Sequence, residues 1–144
     1  MEEYRLPVQI RWSDLDPNFH LRHSVYYDYG AMCRVHFLNA HALDAAAMQR
    51  LKIGPILFRE EALFKKEIRS EDKVHITLKL LKAKKDFSRW SIQHQLIKNE
   101  DILSAIITVD GAWINIVERK LTHPPEEVFT AFNSMPKGDN FEWL

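Results

Sequence analysis

Between residues 4 and 12 apolar and polar side chains alternate. Tyr4, Leu6, Val8, Ile10 and Trp12 share one side, and Arg5, Pro7, Gln9 and Arg11 share the other. A period of two is the signature of a β-strand. Pro7 has no N–H to donate, so this strand is expected at a sheet edge, or bonded on one side only at that point. The alternation stops at Ser13-Asp14-Leu15-Asp16-Pro17-Asn18, a polar stretch of turn formers. From residue 24 to residue 40 the period lengthens. Tyr26, Tyr29, Gly30, Cys33, Phe37 and Ala40 fall on one helical stripe, with Ser24 as N-cap. Gly30 costs a helix about 1 kcal/mol relative to Ala. Either the helix tolerates that, or it approaches another backbone closely there. A short second helix is expected over 43–50, stopped by Gly54-Pro55.

The remainder reads mostly as strand. Over 56–68, Ile56, Phe58, Ala62, Phe64 and Ile68 share a parity that Glu60 and Lys66 interrupt. Over 74–81 and 87–97 the alternation is regular, through Val74, Ile76, Leu78 and Leu80, then Trp90, Ile92 and Leu96. Over 102–117 the apolar parity is odd as far as Val109 and even from Ala112, which predicts a β-bulge at Asp110-Gly111. A last helix is expected over 125–134, with Pro125 at its first position and Glu126 and Glu127 in its first turn. Lys84-Lys85-Asp86 and Asn99-Glu100-Asp101 read as hairpin turns, so the strands they join are antiparallel. One long helix then has to cover one face of a five-stranded sheet, a two-layer α+β arrangement.

Composition narrows the class. At 144 residues the chain can bury roughly 70% of its unfolded surface, and it shows no repeat or linker, so residues 1–144 are read as a single domain. Lys and Arg number 20, as do Asp and Glu, which argues against a general nucleic-acid binder. The lone Cys33 excludes an internal disulfide and a cysteine zinc cage. The seven histidines are scattered, with no Glu-flanked pair at helical spacing, so no metal is expected. There is no apolar run of bilayer length, and the opening Met1-Glu2-Glu3 is acidic, so neither membrane insertion nor a secretory signal is expected. The expected location is the cytoplasm.

The residues Asp14-Leu15-Asp16-Pro17-Asn18-Phe19-His20-Leu21, with Tyr26 and then Arg34 in the helix, resemble the signature of hotdog-fold acyl-CoA thioesterases, nearest the hydroxybenzoyl-CoA thioesterase-like branch. Glu61, Phe64 and Asp72, and the stretch His123-Pro124-Pro125-Glu126-Glu127, extend the likeness along the chain. Phe19 stands where the family has Gly, Arg22 and His23 replace an Asn pair, and Gly30 and Ala31 stand where an aromatic residue and a Glu are usual. The resemblance implies a hotdog fold, a five-stranded antiparallel sheet wrapped around one long helix. It also implies a homodimer or homotetramer with its site between subunits.

Thioester hydrolysis needs a base or nucleophile, an oxyanion stabiliser and a grip on the thiol carrier. The resemblance gives the first role to Asp16, as general base or as nucleophile. The main-chain amides of His23 and Ser24, at the start of the long helix, are expected to hold the oxyanion. His20 and Tyr26 are expected at the substrate, with Glu61, or alternatively Glu60, lining the site from the neighbouring subunit. Lys82, Lys84, Lys85 and Arg89 are expected to meet the phosphates of coenzyme A, which enters as part of the substrate and not as a cofactor. Each residue also has a plainer reading. Asp16 is an ordinary turn residue, the lysines are solvated hairpin charges, Glu61 makes a surface ion pair, and Cys33 is core. Asp14 and His20 are read as holding the loop. Beside hydrolysis stand two other functions, a non-catalytic protein that binds acyl thioesters and an enoyl-thioester hydratase. The Asp16-to-His20 spacing does not fit the Asp-x-Asn-Pro-x-His pattern associated with hydratases.

Overall fold

The computed structural model describes residues 3–144; Met1 and Glu2, part of the acidic opening, lie outside the described residues. The chain runs β1 (Tyr4–Val8), α1 (Val25–Ala40), α2 (Ala45–Leu51), β2 (Ile53–Phe64), β3 (Val74–Ala83), β4 (Arg89–Lys98), β5 (Ile102–Asn115), β6 (Lys120–Leu121), α3 (Glu126–Asn133) and β7 (Lys137–Trp143). The sheet order is β1-β3-β4-β5-β2, with antiparallel neighbours throughout. These five strands wrap α1, as the hotdog fold requires. Two strands are added to the five expected: β6 on β5, and β7 running parallel to β3. The sequence of β7 opens Lys-Gly-Asp-Asn, poor strand formers.

β1 ends at Val8, short of the expected Trp12. Arg11 instead opens a 3₁₀ turn over Trp12–Asp14, because its backbone N–H donates to Asp14 Oδ2 at 3.0 Å. Trp12 is left 87% exposed. Pro7 does lie on an edge strand, with β3 as the partner of β1. In α1, Val25, Tyr26, Gly30, Cys33 and Phe37 face inward, while Ala40 is exposed. Gly30 is needed for close packing, but against side chains rather than a backbone. A Cβ there would stand 3.2 Å from the His94 ring and 3.6 Å from Ile107 Cγ2.

α2 stops at Lys52, which turns left-handed at φ 59°, and Gly54-Pro55 continue as strand. In α3 Pro125 is the N-cap rather than the first helical residue. The expected bulge in β5 lies on the opposite strand. Leu57 pairs Gly111 and Arg59 pairs Asp110, so Phe58 of β2 is the extra residue. Odd parity in β5 therefore continues inward to Gly111 and Trp113. Gly111 is obligatory, since a Cβ there would overlap the Trp90 ring and stand 2.5 Å from the Ile56 carbonyl.

The core fills the concave side of the sheet. Leu78, Leu80, Ile92, Leu96, Ile107 and Val109 belong to the core that α1 covers, and Phe87, Trp90 and Trp113 pack against Phe132 of α3. The two helices meet at their C-terminal ends, where His41 Nε2 and Ser134 Oγ are 2.9 Å apart. Among the described residues no helix is long and apolar enough to cross a membrane.

Candidate active site

The polar stretch between β1 and α1 folds into a closed loop. Leu15 and Leu21 pair as an antiparallel bridge. The Asp16 N–H donates to the His20 carbonyl at 2.8 Å, and the Phe19 N–H to the Asp16 carbonyl at 2.9 Å. Asp16 Oδ1 accepts from the amides of Asn18 (2.8 Å) and His20 (3.1 Å), so one carboxylate oxygen organises the turn. Its second oxygen has no hydrogen-bond donor among the described residues. Phe19 takes φ 63°, a conformation that favours Gly, and its ring is 69% exposed. The loop thus keeps a left-handed residue at the position where Gly is missing.

Three sets of contacts hold this loop. Asp14 is fully buried and accepts from Arg11 (Nη2 to Oδ1, 3.0 Å) and from the Tyr29 hydroxyl (2.8 Å). Burial alone would raise the Asp14 pKa, but the hydrogen bonds from Arg11 and Tyr29 outweigh it and hold the group below its ordinary value. On the far side the Leu21 N–H reaches the Ile68 carbonyl at 2.7 Å, and His20 Nε2 lies 3.0 Å from Glu67 Oε2. Arg22 then ties the loop to the helix, from Nε to the Ser13 carbonyl (3.2 Å) and from Nη1 to Ser24 Oγ (2.5 Å). Ser24 occupies the N-cap position of α1, yet its side chain caps no helix N–H; it is engaged by Arg22. The amides of His23 and Ser24 precede the first full turn, and both residues are exposed.

Tyr26 is 4% exposed and stacks edge-on against Phe64 of β2 at 5.0 Å. Burial, and then the charge of Asp16, push its phenol up to about 12, so it stays protonated. Burial likewise pushes the Cys33 thiol up to about 12, as a core residue rather than a nucleophile requires.

Other expected site residues lie apart from this group. Glu61 sits opposite Thr108 on β5 and pairs with Arg59. Glu60, one residue earlier, faces α1, with its Oε2 3.9 Å from Arg34 Nη2. Lys82, Lys84, Lys85 and Arg89 surround the β3–β4 hairpin, and the Arg89 guanidinium lies 4.7 Å over the Phe58 ring. That hairpin is at the Ala83 end of β3, whereas the Asp16 loop packs on Ile68, before its Val74 end. Ten strand residues, roughly 30 Å, separate them, so one chain does not bring them together.

A buried polar chain crosses the core under Gly30. Arg34 Nη1 lies 3.0 Å from His94 Nε2, and His94 Nδ1 lies 2.9 Å from the Thr77 carbonyl. A guanidinium can only donate and a carbonyl can only accept, so His94 is the Nδ1–H tautomer. Burial and then the neighbouring Arg34 charge push its pKa down to about 3. The signal for His94 was in the sequence: it falls on the apolar parity of Trp90, Ile92 and Leu96. Tyr29 likewise fell on the apolar stripe of the helix, whereas the loop partners Arg11 and Glu67 carried no such signal.

Residues 10–132 match the thioesterase-like superfamily, and the chain belongs to it. Its general chemistry is thioester hydrolysis. No curated protein matches the sequence. Among solved structures it resembles SAV2348 of Staphylococcus aureus, determined in complex with CoA (TM-score 0.84, 18% identity, 95% of this chain and 88% of that one). It also resembles Slr0204, a 1,4-dihydroxy-2-naphthoyl-CoA thioesterase from Synechocystis (TM-score 0.81, 16% identity, 92% and 97%). A dihydroxynaphthoyl-CoA thioesterase of Staphylococcus aureus is similar too (TM-score 0.81, 15% identity, 92% and 90%).

Proposed function

We propose that the protein hydrolyses an acyl-CoA thioester to the free acid and CoA, with Asp16 at the reacting carbon and the amides just before α1, those of His23 and Ser24, on the oxyanion. The observation that carries this reading is the Asp16 carboxylate. One oxygen is spent on the loop amides, the other is free, and the whole is clamped between a buried Asp14 and the His20–Glu67 pair. As general base, the free oxygen takes a proton from water as the water attacks the thioester carbon. As nucleophile, it attacks that carbon itself, and water then hydrolyses the mixed anhydride. In both routes the developing oxyanion is stabilised by the N–H groups of His23 and Ser24 and by the helix dipole, and the CoA thiolate leaves. No metal or cofactor enters either route. The CoA-bound structure of the Staphylococcus protein favours CoA as the carrier.

The reading includes a second copy of the chain. The free edge of β2 exposes Leu57, Phe58, Leu63 and Phe64 over a twelve-residue strand, an edge suited to pairing with its own copy. Antiparallel β2–β2 pairing would set the Phe64 end of one copy beside the start of its partner's strand. The partner's β3–β4 hairpin, with its lysines, would then approach the Asp16 loop. Neutralising Lys84 and Lys85 should raise KM for CoA esters more than for a small thioester without phosphates. Equal effects on both would dismiss the phosphate role.

The test is thiol release from a panel of acyl-CoA esters, with Asp16→Asn beside the parent and the mass in solution measured on both. Asn retains an oxygen for the Asn18 and His20 amides, so the loop stays closed while the base is lost. A second reading has one observation in its favour: Asp16 makes the contacts of an ordinary turn residue. A variant that keeps the parent's turnover would support that reading. Acyl-CoA binding without turnover would support a non-catalytic binding protein.

A further inference from the structure

A cavity of about 190 Å³ opens between α1, the edge strand β2 and α3. Ala31, Val35, Leu57, Trp90, Trp113 and Phe132 are among its walls, and Arg34 is the one charged residue that lines it. Native cores leave few voids larger than a water molecule, and a void this size forfeits contacts along all its walls. An engineered cavity of about 150 Å³ with Leu, Ile and Phe walls stays dry and binds benzene. The size and lining here therefore suit one ring or the end of an aliphatic chain.

The cavity's place along the helix limits what can fill it. Ala31 is a wall of the cavity and is also exposed, so it stands at the mouth. It lies seven residues after Ser24 on α1, a rise of about 10 Å. The seam between α1 and β2 joins the two points. Tyr26 meets Phe64 near the loop, Arg34 meets Glu60 further along, and Leu57 reaches the cavity. A carbonyl held at the start of α1 thus lies too far from the cavity for a ring attached directly to it to enter. An aliphatic spacer is required.

We infer that this cavity receives the apolar end of a medium-chain aliphatic or arylalkanoyl thioester, and that Ala31 at its mouth selects these over aroyl groups. The inference rests on the thioesterase reading for where the carbonyl lies, but the cavity can be probed without turnover. The probe is ω-bromodecanoic acid, whose terminal bromine would seat against Trp90 and Trp113 and quench their fluorescence. Saturable quenching is expected in the parent. In both Ala31→Phe and Ala31→Glu the affinity should fall about tenfold or more, since one blocks the mouth with bulk and the other with charge. Ala31 is exposed, so both variants should keep the parent's Tm.

In the turnover arm, the parent should prefer decanoyl-CoA to benzoyl-CoA in kcat/KM, and the variants should lose that preference by about tenfold. Quenching that does not saturate, or that both variants leave unchanged, overturns the inference. Benzoyl-CoA turned over as well as decanoyl-CoA, with the ratio unmoved by the substitutions, overturns it too. Saturable, Ala31-sensitive quenching in a protein that cleaves no ester would support the cavity as an acyl site while sinking the hydrolase reading.

Discussion

Asp14 and Asp16 lie two residues apart on one loop and face opposite environments. The inner side of the loop is dry: Asp14 is fully buried, and Arg11 and Tyr29 both donate to it. The outer side is half-buried: Asp16 accepts two loop amides and keeps one oxygen free. The same carboxylate therefore serves two ends. A buried carboxylate that lost its partners would be an uncompensated charge, so Asp14 locks the loop in one conformation. A carboxylate held by one oxygen keeps the other within reach of a substrate, and the fold can present it without depending on it.

Removing each group in turn should separate these roles. Asp16→Asn should lower kcat/KM by about 10²–10⁴ with Tm unchanged, as expected for loss of a positioned base. A matching fall in Tm would mean the outer carboxylate is structural after all. Asp14→Ala should act on stability first, costing about 2 kcal/mol or more in urea unfolding, because Arg11 and Tyr29 lose their acceptor. An Asp14→Ala protein as stable as the parent would remove the lock from this account.

Acid should weaken the inner core through its histidines. His94 has a folded pKa near 3, against 6.5 for the free side chain. A depressed histidine contributes stability above its unfolded pKa and loses it as pH falls toward the folded one. His75, also shifted down by burial, adds in the same direction. Tm should begin to fall below pH 6.5, and His94→Gln should flatten that part of the profile down to about pH 4, where the carboxylates take over. An identical profile in the variant would rule out His94 as the source. The smallest effect should come from Phe19→Gly, which relieves a left-handed residue and should stabilise the loop by about 1 kcal/mol. Destabilisation would mean that the exposed Phe19 ring makes a contact worth more than the strain.

Much of this molecule was legible in its residues because short-range periodicity carried it. β1, α1 and the β3–β4–β5 meander follow from alternation, helical spacing and turn residues, and together with the Asp-x-Asp stretch they sufficed for the hotdog family and for the loop that bears Asp16. Three-dimensional packing decided the rest. Glu60 shares the parity of Ala62 and Phe64 and faces the helix as that alternation implies, but the bulge at Phe58 breaks the alternation further back, so that Leu57 rather than Ile56 or Phe58 turns toward the cavity, an offset that no local pattern on β2 announces. The pairing of β7 with β3 came from contact across the fold, against the weak strand propensity of Lys137–Asn140. Arg11, Tyr29 and Glu67 became partners of the loop only because chain segments distant in sequence converge on it. The cavity behind Ala31 has the same origin. Its walls come from two helices and four strands, most of them residues that read, alone, as ordinary core, and a void is a property of how side chains fail to meet, which no single segment contains.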